Sequence, residues 1–158
     1  MLKKSENFVI ISQNKKALRD YFVIYAIEAG ISLCGTEVKS IRSGGVNLRD
    51  SWCSIRHEEI FMNNAHISAY KHGNIFNMDP IRPRKLLAHK KEILKFMGEI
   101  KKKGVSLIPI CLYFKKKLVK VKLGLCKGKK IFDKRRVIAK RDADRDLQRT
   151  FKDFNNKF

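Results

Sequence analysis

The sequence predicts a mainly β fold of the α+β class: a closed antiparallel β-barrel with two to three flanking helices and a basic C-terminal tail. Three observations predict it. Short apolar stretches alternate with turn-forming residues over residues 8–69. In residues 119–125 every second side chain is apolar. In residues 83–102 the apolar side chains recur at the spacing of one face of a long helix. A closed barrel leaves no strand edge unpaired. The length of 158 residues, with 44% apolar side chains, suits one domain that folds without disulfides or metal.

The N-terminal part is predicted as strands separated by glycines. Residues 8–11 and 21–27 are rich in β-branched and aromatic side chains, which favour strands. Gly30 predicts a turn, because glycine readily adopts positive φ, and residues 31–33 are expected to return as the partner strand. Residues 36–42 predict a two-turn helix that ends at a pair of glycines.

The central part is predicted as two strands, a loop and a helix. Residues 51–56 and 60–69 have strand character and are joined by a polar turn. Residues 71–84 contain Gly, Asn and Pro without periodicity, which predicts a long loop of the kind that often carries function. Pro83 suits the first turn of a helix that runs to about residue 102, whose apolar side chains fall on one stripe.

The last two predicted strands form a hairpin. Residues 105–114 are mostly apolar, and Pro109 indicates an edge position or a bulge. The three lysines at 115–117 form the turn, and residues 119–125 follow with period two.

The charge indicates a polyanionic partner. The formal net charge is +21, and it is uneven: residues 1–79 contain 10 Lys and Arg against 8 Asp and Glu, whereas residues 80–158 contain 26 against 7. A cationic surface of this kind binds nucleic acid with strong salt dependence. The alternative is a surface that is merely soluble, which does not require such an excess in one half. One cationic cluster lies at the start of the predicted main helix, where the helix dipole also attracts phosphate: Arg82, Arg84, Lys85, His89 and Lys90.

The C-terminal segment is predicted to be a separate basic tail. Residues 127–158 contain 12 Lys and Arg and 5 Asp, and the strand alternation stops. We therefore expect a folded domain at 1–127 and a tail at 128–158 that is disordered when free and becomes helical on a partner. Four apolar side chains of the tail would line one side of a helix: Leu147, Phe151, Phe154 and Phe158.

Several classes of protein are not expected. The longest apolar stretches have about seven or eight residues, short of the roughly 20 that span a bilayer, and the N-terminus does not resemble a signal peptide. The four cysteines form no paired motif, so reduced cytoplasmic thiols, no bound metal and no cofactor are expected. Catalytic motifs are also lacking. A metal-dependent RNA-processing enzyme that uses His66, His72 and Asp79 remains an alternative, although such residues in loops usually shape turns.

A series of ordered motifs resembles the bacterial SsrA-binding protein family, also called small protein B. The resemblance covers about residues 8–145. Its motifs are N-K-K-A at 14–17, D-Y-F at 20–22, E-A-G at 28–30, G-T-E-V-K-S at 35–40, H-I-S at 66–68, G-N at 73–74, D-P at 79–80, R-K-L-L at 84–87, L-Y-F-K at 112–115, G-K-K at 128–130 and D-K-R at 133–135.

The resemblance implies an OB-like barrel and a role in ribosome rescue. A member of this family binds the tRNA-like domain of transfer-messenger RNA and delivers it to stalled ribosomes for trans-translation. Its barrel stands where the lower half of a tRNA would be, and its tail enters the vacant messenger channel. By this resemblance the chain is not an enzyme, and we expect a cytoplasmic monomer. From the residues alone, a ribosomal protein or a general structured-RNA or single-strand binder fits equally well.

The resemblance also implies two sets of site residues. The positions that match RNA-binding residues of the family are Asn14, Lys15, Glu28, Arg84, Lys85, Leu87 and His89. The positions that match the ribosome-binding tail are Gly128, Lys129, Lys130, Phe132, Asp133, Lys134 and Arg135. Glu28 could accept hydrogen bonds from base or ribose donors or only shape a turn, and Leu87 could cover a base or be part of the core. Three features depart from the family pattern: Phe132 replaces a polar ring, Arg19 replaces an aromatic residue or histidine, and the hairpin turn at 115–117 lacks the usual glycine.

Overall fold

The computed structural model describes residues 8–101 and 104–130, and residues 132, 133, 135, 138, 139, 143 and 149 of the tail. Over these residues the protein is mainly β, as the sequence predicts, with three α-helices. The elements in chain order are β1 (Phe8–Gln13), α1 (Lys15–Asp20), β2 (Tyr21–Ile31), α2 (Gly35–Arg42), β3 (Val46–Asn47), β4 (Trp52–Arg56), β5 (Glu59–Asn63), β6 (His66–Ile67), a 3-10 turn (Asn74–Phe76), β7 (Arg84–Leu87), α3 (Lys90–Ile100), β8 (Val105–Lys115) and β9 (Leu118–Gly128).

Seven strands form one antiparallel sheet. Their order is β1-β8-β4-β5-β7-β2-β9, and β8 also pairs with β9. The short strands β3 and β6 form a separate pair. The two longest strand pairings both involve β9, which pairs with β2 on one side and with β8 on the other. β9 therefore has a hydrogen-bonded neighbour on both sides.

The core lies against the apolar side of β9. Val121, Leu123 and Leu125 are buried on one face of β9, as the predicted alternation requires. On the other face Lys122 is exposed, but Gly124 is buried.

Phe96 and Ile93 of α3 pack into the same cluster. Met97 and Ile100 also pack against this cluster, so the predicted stripe is core at 93, 97 and 100. Phe96 lies outside that stripe, and Leu94 beside it is exposed.

The hairpin of β8 and β9 has the predicted bulge and turn. The register shifts between Pro109 and Cys111, because proline lacks the N–H that a regular ladder requires. The chain reverses at Lys116, which has a φ of 57°. Helix α2 ends as predicted before Gly44, which has a φ of 78°.

The prediction of a turn at Gly30 is wrong. β2 continues as one strand of 11 residues, and Gly30 pairs with Lys120 of β9 and with Leu87 of β7. A Cβ at position 30 would lie 3.2 Å from the Cβ of Leu87. Glycine is favoured here by the close approach of a neighbouring strand and not by backbone reversal.

The predicted start of the main helix is also wrong. Residues 84–87 form strand β7, which pairs with β5 and β2, and α3 begins only at Lys90. Leu86 is buried opposite Ile60. Cross-strand pairing of this kind overrides a local helical pattern. The predicted strand at 60–69 is interrupted at Asn64, which has a φ of 57°.

Helix α1 was not predicted by the sequence pattern. It has six residues and begins after Asn14, whose side chain accepts a hydrogen bond from the amide of Ala17.

The described residues of the tail, from Phe132 to Arg149, have helical backbone geometry. Lys134 and the predicted apolar line of Leu147, Phe151, Phe154 and Phe158 lie outside the described residues. Among the described residues, no helix is long and apolar enough to cross a membrane.

Candidate functional site

Four of the seven predicted RNA-binding residues line one cleft of about 530 Å³. β2 supplies Glu28, β7 supplies Lys85 and Leu87, and the segment before α3 supplies His89. Lys120 of β9 and the two glutamates at the β4–β5 turn complete the polar wall. The cleft thus combines acceptor, cationic and apolar groups contributed by three strands, one turn and the segment before α3.

Glu28 is surrounded by donors. The hydroxyl of Tyr113 donates a hydrogen bond of 2.7 Å to its carboxylate, the Nζ of Lys115 lies at 3.3 Å and that of Lys120 at 3.8 Å. The hydrogen bond from Tyr113 and the two lysines outweigh partial desolvation and lower the pKa of Glu28. Its carboxylate is therefore ionised at neutral pH and accepts hydrogen bonds only.

Leu87 is exposed at the cleft, although its neighbour Leu86 is buried. Its side chain is 54% exposed and rests on the backbone of Gly30, where a Cβ would crowd it. The alternative that Leu87 belongs to the core is therefore wrong. An isobutyl group held in this way offers a fixed apolar surface to a ligand.

Ion pairs hold the cations around the cleft. Lys85 pairs with Glu59, and Lys90 pairs with Glu58 at 2.9 Å. His89 is exposed, and its backbone amide donates to Glu92 in the first turn of α3. These exposed pairs contribute little to stability, but they keep both charges of each pair at the opening.

Arg84 lies elsewhere, inside the protein. Its side chain is 0% exposed, and its Nε donates to the carboxylate of Glu37 at 2.8 Å. Its other nitrogens donate to the carbonyls of Ala65 and Pro80 at 2.6 and 3.0 Å. In this conformation Arg84 has no surface that could touch RNA, and it holds the loop between β6 and β7 closed.

Glu37 is the acceptor at the centre of this buried cluster. Besides Arg84, it accepts hydrogen bonds from Arg82 and from the backbone amide of Cys34. Burial opposes ionisation of Glu37, but the hydrogen bonds from Arg82, Cys34 and Arg84 outweigh it, so that the pKa is lowered. The cluster joins the N-terminus of α2 to the chain before β7.

Asn14 and Lys15 line a different cleft, of about 440 Å³. The side chain of Asn14 is only 3% exposed, because it caps α1 and donates to the carbonyl of Leu48 at 2.9 Å. Lys15 is exposed beside Arg19 and Arg49. The structure therefore does not bring these two residues to the cleft of Glu28.

Tyr113, Lys115 and Lys120 are partners of Glu28 that the sequence analysis missed. The predicted hairpin turn could have indicated that Tyr113 and Lys120 are neighbours, because a chain reversal at 116–117 places them opposite each other. The pairing of β2 with β9, which brings Glu28 to them, has no local signal.

The tail residues begin where β9 ends. Gly128 pairs with Tyr21, and the next residue, Lys129, contacts Leu18 and Phe22. Lys130 and Phe132 are exposed. Asp133 and Arg135 have helical geometry.

The residues of the alternative metal site have structural contacts. The carboxylate of Asp79 accepts from the amide of Ile81, and the ring of His72 packs edge-on against Tyr70. No group of three or more His, Cys, Asp and Glu that could hold a metal ion occurs among the described residues.

The fold and these clefts define a small, mainly β, strongly cationic protein with two clefts, one of which is lined by both charged and apolar side chains. The family model described as "SmpB protein" matches residues 11–153. The chain belongs to this family.

Two relatives support the same family over nearly the whole chain. The SsrA-binding protein of Caldanaerobacter subterraneus is 54% identical over 153 residues, covering 97% of each chain. That of Clostridium perfringens is 52% identical over 155 residues, covering 98% of this chain and 99% of the relative. A solved structure described as "tmRNA-SmpB: a journey to the center of the bacterial ribosome" has a TM-score of 0.65 and 41% identity, over 76% of this chain and 85% of its own.

Proposed function

We propose that the chain binds transfer-messenger RNA and acts in trans-translation on the ribosome. The observation that carries this proposal is the family match over residues 11–153. The relatives named SsrA-binding protein and the solved structure of tmRNA with SmpB support it. The net charge of +21 is consistent with a phosphate-rich partner.

In this proposal the cleft of Glu28 receives the tRNA-like domain of the RNA. The ionised carboxylate accepts hydrogen bonds from exposed base or ribose donors, and Lys85, Lys120 and His89 face phosphates. Leu87 covers an unstacked base. Recognition of unpaired, splayed bases together with backbone contacts is the usual way in which proteins read structured RNA.

The remaining predicted residues take separate roles. Lys15 contacts phosphate from the second cleft. Asn14 and Arg84 act as positioning residues, because their polar atoms are directed at the protein's own backbone and at Glu37.

The body is proposed to be a closed OB-like barrel comprising residues 1–127. The support is a cycle of strand pairings: β8 pairs with β4, then β5, β7, β2 and β9 follow, and β9 pairs again with β8. Residues 128–158 form the basic tail, which enters the messenger channel and decoding region of the small subunit as a helix. The protein acts as a cytoplasmic monomer by binding and delivery, without catalysis.

A gel-shift titration with the tRNA-like domain tests the cleft. Hydrogen bonds to a charged group contribute about 1.5–3 kcal/mol, so Glu28→Gln should weaken binding by about tenfold to a hundredfold. Glu99→Gln, which removes the same charge from α3 outside both clefts, is the matched control. Equal affinity of the two variants would contradict the assignment of the cleft.

Truncation after Lys127 separates the two proposed parts. The truncated protein should retain its affinity for the RNA but fail to support tagging on stalled ribosomes. Loss of RNA affinity on truncation would overturn this division between body and tail.

A further inference from the structure

Lys129 lies at the root of the basic tail, and the body holds it in three ways. Its backbone amide donates to the carbonyl of Asp20 at 2.9 Å. Its Nζ donates to the carbonyl of Leu18 at 3.0 Å and lies 4.9 Å from the centre of the Phe22 ring. Its neighbour Lys130 is exposed.

These contacts fit the chemistry of an ammonium group. Leu18 belongs to the last turn of α1, where backbone carbonyls carry partial negative charge and lack partners within the helix. The face of Phe22 is the negative side of an aromatic quadrupole. The cation of Lys129 therefore bridges the end of α1 and the start of β2, directly after the final pair of β9, Tyr21 with Gly128.

We infer that Lys129 is a positioning residue that fixes the direction in which the tail leaves the body, and is not itself a ligand of the ribosome. Without the side-chain contacts of Lys129, only its backbone hydrogen bond to Asp20 holds the start of the tail. With them, the first residue of the tail beyond the sheet is anchored at three points. A fixed exit direction lowers the entropy that the tail loses when it enters a narrow channel. The consequence for rescue rests on the proposed function, but the anchor itself does not.

Hydrogen exchange in the free, full-length protein tests the anchor directly. The amide of residue 129 is followed by NMR in Lys129→Met, in Phe22→Leu and in Lys130→Met. Loss of a cation–π contact and a charged hydrogen bond should speed exchange at this amide by about thirtyfold or more in Lys129→Met. Phe22→Leu should speed it to a smaller degree, and Lys130→Met should leave it unchanged. Equal protection in all three variants would overturn the anchor.

Tagging on stalled ribosomes tests the consequence. Lys129→Met and Phe22→Leu should each reduce tagging while RNA affinity stays unchanged. Lys129→Arg should retain most of the tagging activity. The double variant with Lys129→Met and Phe22→Leu should tag no less than the poorer of the two single variants. Direct contact of Lys129 with the ribosome predicts instead that the two effects multiply. Lys91→Met, an exposed charge loss on α3, is the control. If the unaltered protein gave no tagging, the proposed function would fail, while the exchange result would still decide whether the anchor exists.

Discussion

Replacing Glu37 with glutamine removes the negative charge that two guanidinium groups share. Glu37 is 5% exposed, and Arg84, its partner at 2.8 Å, is 0% exposed. Removing one member of a buried ion pair costs about 3–5 kcal/mol, because the other charge remains buried without compensation. Glutamine retains one acceptor oxygen, and Arg82 is partly open to water. We therefore expect the lower end, a loss of about 3 kcal/mol in the free energy of unfolding.

Urea denaturation monitored by circular dichroism measures this loss, and a thermal scan should show Tm lower by about 6–12 °C for a chain of this size. Glu59→Gln is the control, because its pair with Lys85 is about 40% exposed on both sides and should cost less than about 1 kcal/mol. If the buried pair is the source, Glu37→Gln should cost much less in an Arg84→Met background. A loss below about 1 kcal/mol, or an equal loss in both backgrounds, would refute the reasoning.

Three further predictions concern pH, packing and thiol reactivity. The pKa of Glu37 is lowered from about 4.5, so its stabilising contribution is complete above that value and is lost as the pH falls below it; urea midpoints measured against pH should fall less steeply in Glu37→Gln than in the unaltered protein. Gly124→Ala places a Cβ 2.9 Å from the nearest side-chain atom and should lower the free energy of unfolding in urea by about 1–3 kcal/mol. Gly98→Ala, with open space around it, should instead stabilise α3 by up to about 1 kcal/mol. Equal effects of the two substitutions would contradict the packing around Gly124. Burial raises the pKa of the Cys126 thiol to about 11, so a thiol reagent at pH 8 should modify the half-buried Cys34 first. Peptide mass spectrometry identifies the modified cysteine. Modification of Cys126 before Cys34 would contradict the burial of Cys126 in the core.

The sequence patterns that predicted structure correctly are those whose partners are close along the chain. The alternation of residues 119–125 and the lysine turn determine the β8–β9 hairpin locally. Strand β7 could not be predicted in this way, because its partners β5 and β2 lie far away in sequence and its four residues also fit a helical stripe. Long-range pairing decided the outcome there.

The candidate site shows the same division. The family motifs identified Glu28, Lys85, Leu87 and His89, which the structure brings to one cleft. They also identified Arg84, whose burial against Glu37 no motif can reveal, because a basic residue looks the same in sequence whether it faces solvent or a carboxylate. Burial is a property of the folded chain and not of the motif.

Affinity for shaped RNA tests the central proposal most directly. The full-length protein is titrated, at one fixed salt concentration, with the tRNA-like domain of transfer-messenger RNA and with an unstructured single strand of equal length. Both RNAs carry the same number of phosphates, so their total charge is matched, although the folded RNA has the higher charge density. The proposal predicts binding to the tRNA-like domain that is tighter by about a thousandfold or more, the lower end of the range of specific over non-specific recognition. Equal affinity for the two RNAs would contradict it and leave only a general cationic RNA binder.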